Sequence, residues 1–145
     1  MRRPSGASAP ATALAGDGSV IDLEPLAREI CTRFWLRFGD QLDPAHADGE
    51  WCRHDNQYLL AWAIQEARDG TVSLVDQTAW LVRVLDARSF PIALLAEDLE
   101  IAADVVRERH DLGELGSTSS EALATASAAV HAMAAHTRAR HPPQA

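Results

Sequence analysis

Lysine is missing from this chain of 145 residues: all 13 basic side chains are Arg. Without an ε-amine, neither Schiff-base chemistry nor a P-loop can be built from this chain alone. Base composition is the bland origin, since Ala and Arg codons rise together in GC-rich genomes, but the chemical exclusion holds whatever the cause. Aromatics are sparse, with one Tyr, three Phe and four Trp. No apolar run approaches the length of a membrane span. The formal net charge of -8 and pI near 5.1 argue against nucleic acid or an anionic membrane as the main partner, because both call for a basic patch.

Cysteine is nearly absent too. Cys31 and Cys52 fall in separate predicted helices, and no Cys-x-x-Cys spacing exists, so neither a zinc ribbon nor a thioredoxin-like motif is present. The expectation is two buried thiols in a reducing cytoplasm. There is no Gly-x-Ser-x-Gly, and the serines gather in the N-terminal tail and around Ser117 to Ser120, where helix capping explains them.

What the chain does have is alanine and helical periodicity. Its length suits one domain with a core of its own. Residues 1–18 are rich in Ala, Ser, Gly and Pro, with Leu14 the one large apolar side chain past the start, and read as a disordered tail rather than an export signal. A first helix is expected from Asp22 to Phe38, stopped by Gly39, and then a loop through Pro44. A second helix runs from Asp48 to Arg68 and ends at Gly70. A third, capped by Ser73, spans Leu74 to Arg88, and a fourth follows Phe90-Pro91 to about His110. Thr118 and Glu121 match a capping box for an Ala-rich fifth helix to Arg138, whose few large anchors, Leu123, Val130 and Met133, predict the weakest docking. The architecture expected is all-α: a single-domain bundle of four main helices plus a looser C-terminal fifth over residues 19–138, with a disordered tail at 139–145.

The second helix carries the most unusual stretch, Trp51 through Trp62. At 100° per residue, Trp51, Asp55, Tyr58, Leu59, Trp62 and Glu66 share about a third of the circumference, so two carboxylates lie on one stripe with three large aromatics. Asp55 and Glu66 are about 16 Å apart along the axis, too far for a general acid/base pair. Asp55 would be costly to bury charged, so an Arg from another helix, among Arg33, Arg37, Arg83 and Arg88, is its natural partner. The stripe is therefore either a core face pinned by a structural ion pair or the wall of a binding groove formed by Trp51, Asp55, Tyr58 and Trp62. Asp98 repeats the anomaly among Leu94, Ile101 and Ala102 on the fourth helix; the two aspartates either share a partner or cation, or form separate salt bridges. No metal site is expected: His131, His136 and His141 are spaced by five, where a helical ligand pair needs three or four, and His54 points away from the stripe.

The run Cys52-Arg53-His54-Asp55-Asn56-Gln57-Tyr58-Leu59-Leu60, then Ala67, Gly70, Gln77, Trp80-Leu81, Val84-Leu85, Ala87-Arg88 and Phe90-Pro91, resembles the helical region that precedes cobalamin-binding domains in bacterial B12-linked regulatory proteins. The likeness covers about residues 50 to 108 and rests on a Cys-Arg-x-Asp helix followed by a Trp-Leu-x-x-Val-Leu helix. It departs from that pattern elsewhere. Asp43-Pro44-Ala45-His46-Ala47-Asp48-Gly49 only imitates the Asp-x-His-x-x-Gly that supplies a lower axial ligand, and the Trp and Glu-His signature that caps a corrinoid has no counterpart. The resemblance thus implies the helical module alone, without its ligand domain.

These readings favour a non-enzymatic, cytoplasmic regulatory or protein-interaction module, acting with a protein partner or as a homo-oligomer and holding no cofactor of its own. The alternative is a small-ligand sensor in which a corrinoid or other apolar planar molecule rests against Trp51, Tyr58 and Trp62. An enzyme using Asp55 or Asp98 as base is a third class, and no catalytic constellation supports it.

Overall fold

Each helix boundary follows from a local signal. In the computed structural model, which describes residues 8–42 and 49–140 and the side chains of 8–42 and 52–137, α1 runs Leu23–Phe38. Asp22 caps it, its carboxylate accepting from the Glu24 N–H at 3.3 Å. Leu23, Leu26, Ala27, Ile30 and Phe34 form its buried face, at the spacing the sequence predicts. A short 3-10 turn at Gly39–Gln41 follows. The expected loop beyond it, at 43–48, and the expected C-terminal tail from 141 lie outside the described residues.

Helix α2 spans Gly49–Asp69 and stops at Gly70, whose φ of 69° is open to glycine at little cost. Helix α3, Leu74–Ala87, begins at the Ser73 cap, whose Oγ accepts from the Asp76 N–H. Glu66 adds a second cap: its Oε1 accepts from the Leu74 N–H at 3.0 Å. One carboxylate of the aromatic stripe therefore ties α2 to α3 and is not part of a site. Ser89, at φ 60°, turns the chain into α4, Ile92–Glu108. That helix is buried on most sides and forms the axis of the domain.

Two expectations fail. Part of the predicted N-terminal tail is a small antiparallel hairpin, β1 (Thr12–Leu14) against β2 (Val20–Asp22), with Ala13 opposite Ile21. Asp17 and Gly18 make its turn: the Asp17 carboxylate accepts from the Ser19 N–H and hydroxyl, and Gly18 sits at φ 84°. Ile21 anchors it in the core, while Arg68 donates to the Leu14 carbonyl at 3.2 Å and the Leu23 N–H to the Ala11 carbonyl at 2.9 Å. Residues 1–7 lie outside the described residues.

The fifth helix, α5, is the second correction. It spans Gly113–Arg140, so Thr118 and Glu121 lie inside it, exposed, and form no capping box. Nor is its docking weak, for its most extensive packing is against α4. Leu123, Ala126 and Val130 are fully buried, and small side chains let the two backbones approach. Ser120 Oγ donates to the Ala103 carbonyl at 2.8 Å and Ser127 Oγ to the Ala96 carbonyl at 2.7 Å, so the helices run antiparallel and are stitched every two turns. The result is an all-α domain of five helices with one two-stranded sheet among the described residues. No described helix is long and apolar enough to cross a membrane.

Candidate functional site

The buried face of α2 is not the face the aromatic stripe suggested. Cys52, Asn56, Leu59, Leu60, Ala63 and Ile64 point inward, rotated by roughly 120° from the line through Asp55, Tyr58 and Trp62. The stripe occupies the shoulder of the helix, and its members part company there. Tyr58 and Trp62 lie against each other with ring centres 5.6 Å apart, and the Tyr58 hydroxyl donates to the Ser8 carbonyl at 3.5 Å. One residue before it, Gln57 Nε2 donates to the Pro10 carbonyl at 3.1 Å, so the N-terminal segment lies along this shoulder. Asp55, on the inner edge of the same shoulder, also lines a small cavity between the helices. The side chain of Trp51 lies outside the described residues.

His54 does not point away from this group. It is 7% exposed, stands edge-on to Tyr58 at 5.2 Å, and places Nδ1 3.4 Å from Asp55 Oδ1. The i, i+4 spacing to Tyr58 draws the imidazole over the aromatic shoulder.

Beneath the shoulder, Cys31 of α1 and Cys52 of α2 form a disulfide across 21 positions. The expectation of two free thiols is thereby overturned: packing α1 on α2 brings together two cysteines that no short spacing connects. One turn after Cys52 comes Asn56, 2% exposed. Its Nδ2 donates to the Cys52 carbonyl at 3.0 Å and to Asp98 Oδ1 of α4 at 3.1 Å, and lies 3.5 Å from Cys31 Sγ and 3.6 Å from Cys52 Sγ. Among the described residues nothing donates to Asn56 Oδ1, and the buried Nε2 of His54 and Nε1 of Trp35 also lack partners. Unsatisfied polar atoms are costly and uncommon in a core, and three side chains near one disulfide gather them here.

Asp98 is 7% exposed, and burial pushes its carboxyl up to about 7. The Asn56 hydrogen bond opposes that rise and the charge of Asp55 adds to it. Burial likewise raises Asp55, to about 6, against the bond and charge of His54 and the charge of Arg88. Its smaller displacement fits a side chain that is still 21% exposed. The two aspartates thus converge on one place and repel one another electrostatically, so they titrate as a pair. Arg33, another partner considered for Asp55, is committed elsewhere: it binds Glu29 and grips Glu108 with two bonds of 3.1 and 2.6 Å, clamping α1 to the end of α4.

Asp55, Asn56, Asp98, Cys52 and Trp35 share a cavity of about 30 Å³, room for a single water. Sites for organic ligands are at least tenfold larger. No protein-family model matches this chain, and no curated protein or solved structure matches it. Its chemistry therefore has to be read from the centre itself: a disulfide, an amide spanning both sulfurs and two carboxyls able to hold protons near neutrality. Sequence reasoning marked Asp55 and Asp98 but passed over Asn56, whose signal was a polar residue at the middle of the true buried face.

The histidine spacing that excluded a metal site within one helix is silent about neighbouring helices. Glu97, Glu100 and His131 bring one potential ligand atom each within 4.8 Å of one another across α4 and α5. Glu100 and His131 are exposed, and the trio is a solvated surface cluster.

Proposed function

We propose that this chain is a non-enzymatic regulatory helical module, acting on a protein partner or a second copy of itself, with the Cys31–Cys52, Asn56 and Asp98 centre as its responsive element. The observation that carries this reading is the position of that centre. It joins α1, α2 and α4 around a cavity with room for about one water, so chemistry there acts on the fold itself rather than on a bound substrate. Buried titratable groups and redox-active sulfurs bias packed elements between alternative arrangements, which is how local charge or bond changes reach a distant surface. A disulfide belongs to an oxidising compartment, and in a reducing cytosol it is a transient, functional one. Either setting suits a regulatory bridge better than two inert thiols.

The alternative, a planar ligand on the aromatics, requires that the segment hydrogen-bonded to Gln57 and Tyr58 be displaced. An absorbance spectrum of the purified protein tests it directly, since a corrinoid would colour the sample. For the regulatory reading, the decisive experiment is hydrogen–deuterium exchange on oxidised and reduced protein. Reduction should loosen protection in α1 and the first half of α2 while α4 and α5 stay protected. Identical exchange in both states would remove the regulatory reading.

A further inference from the structure

We propose that the Cys31–Cys52 bridge is a stoichiometric thiol–disulfide exchange site for an anionic thiol, which enters a groove beside Arg28 and Arg53 and attacks Cys31. This deepens the regulatory reading by naming the chemical input to the centre, and rests on that reading for its purpose. The two cysteines line different spaces. Cys31 lines a surface groove of about 400 Å³ with Arg28, Thr32, Trp35, Leu36 and Arg53. Cys52 lines the small cavity of about 30 Å³ shared with Asp55, Asn56 and Asp98. Exchange proceeds by attack of a thiolate on one sulfur with departure of the other, along the S–S axis. A reagent in the groove therefore meets Cys31 and expels Cys52 toward the polar cavity.

The groove selects for charge. Arg28 is bonded to Glu24 at 2.9 Å, which offsets part of its field, and Arg53 supplies a second guanidinium. The exposed Leu36 and the Trp35 ring add apolar wall, so an anionic thiol with some organic bulk fits better than a cationic one.

The step balances without an outside oxidant. The incoming sulfur bonds to Cys31 Sγ, the S–S bond breaks, and its electron pair leaves on Cys52 Sγ. Asn56 Nδ2, 3.6 Å from that sulfur, stabilises the departing charge. The proton that converts it to a thiol comes from Asp98, across the cavity that both residues line, and solvent later restores it. Burial keeps the Asp98 carboxyl partly protonated at neutral pH, where an ordinary aspartate would have none to give. The product is a mixed disulfide on Cys31, a Cys52 thiol and α1 released from its covalent tie to α2.

The test uses the oxidised full chain at pH 7 with glutathione and, in parallel, with the cationic thiol cysteamine, each rate divided by that thiol's rate with a small disulfide. Acid quenching, alkylation and peptide mass spectrometry then locate the adduct. The expected result is glutathione on Cys31, with a normalised preference over cysteamine of roughly tenfold that Arg53→Gln largely removes. Asp98→Asn keeps an acceptor for Asn56 but has no proton to give; it should slow the reaction roughly tenfold while its thermal midpoint at pH 7 rises rather than falls, so that the loss of rate is not a loss of fold. If that variant does not fold, the adduct's position on the native chain decides alone. Adducts on Cys52, indifference to charge, reduction no faster than global unfolding, or two free thiols in protein purified in air would each overturn the proposal. Modification of Cys31 with unchanged helix protection would instead leave the exchange site standing and remove the regulatory reading.

Discussion

The α4–α5 seam and the junction of α1, α2 and α4 bury polar groups in opposite ways. Along the seam, Ser120 and Ser127 each place a hydroxyl on a carbonyl of α4, at 2.8 and 2.7 Å, between fully buried Leu123, Ala126 and Val130. At the junction, Asp98 and Asn56 satisfy one another only in part, and Asn56 Oδ1, His54 Nε2 and Trp35 Nε1 have no partners among the described residues. On α5 the Ser119 hydroxyl is buried without a partner among the described residues, but it carries no charge to gain or lose, and the two donors that cross to α4 specify one arrangement cheaply; a half-satisfied network of ionisable groups in a low-dielectric site is sensitive to a single proton or bond. The contrast separates the part of the molecule that holds the fold from the part equipped to change it.

The largest expected effect breaks the seam. Leu123→Ala opens a cavity at a fully buried position and should destabilise by about 3 to 5 kcal/mol, equally at pH 5 and pH 8 and in both redox states, as measured by chemical denaturation. A strong pH dependence of that loss would mean that the two regions are not separate.

Next is proton linkage at the junction. The folded state holds Asp98 near 7 against 3.8 for the unfolded chain, so between those values the native protein binds more protons. Its contribution to stability is therefore full below about pH 4 and is lost as pH rises through about 7. The fall should be on the order of 2 to 4 kcal/mol, with Asp55 adding to it over a similar range. Asp98→Asn should flatten this slope, matching the parent at low pH and exceeding it in stability at pH 8. A parent whose stability is level between pH 4 and 7 would show that the cavity is well solvated.

Most helix limits were legible because their signals are local. The Asp22 cap, the Ser73 cap and Gly70 at positive φ each act within a turn, and each helix they bound begins or ends within about one residue of its expected limit. What was lost depended on distance. The hairpin carries an Asp17-Gly18 turn signal, but its strands are only three residues each, and Ala-rich flanks hid the pairing. The start of α5 was misplaced because Thr118 and Glu121 imitate a cap on a helix already under way from Gly113. At the site, Asp98 stood out as a charge on an apolar face. The orientation of α2 did not, since three aromatics outweighed Asn56 in choosing which face was inward. The disulfide has no sequence signal at all, being a product of how α1 lies on α2.

Removing the bridge sharpens the contrast further. The double substitution Cys31→Ala, Cys52→Ala frees a loop spanning 21 positions and should cost about 3 kcal/mol by chain entropy. In exchange measurements the loss should fall on α1 and α2, with the seam keeping its protection; uniform loss throughout would make the bridge a global staple.

The smallest effect tests whether the seam is as independent internally as it is of the junction. Ser127→Ala removes one hydroxyl from a carbonyl that also lies within the helical ladder of α4, so no backbone group is stranded, and the expected cost is about 1 kcal/mol. Ser120→Ala should cost a similar amount. The two serines are two turns apart, about 10 Å along α5, and share no partner. Their double substitution should therefore cost the sum of the single losses to within about 0.5 kcal/mol. A larger coupling would show that the two bonds hold one backbone-to-backbone spacing together, making the seam a cooperative unit and Leu123 only one of several residues on which it depends.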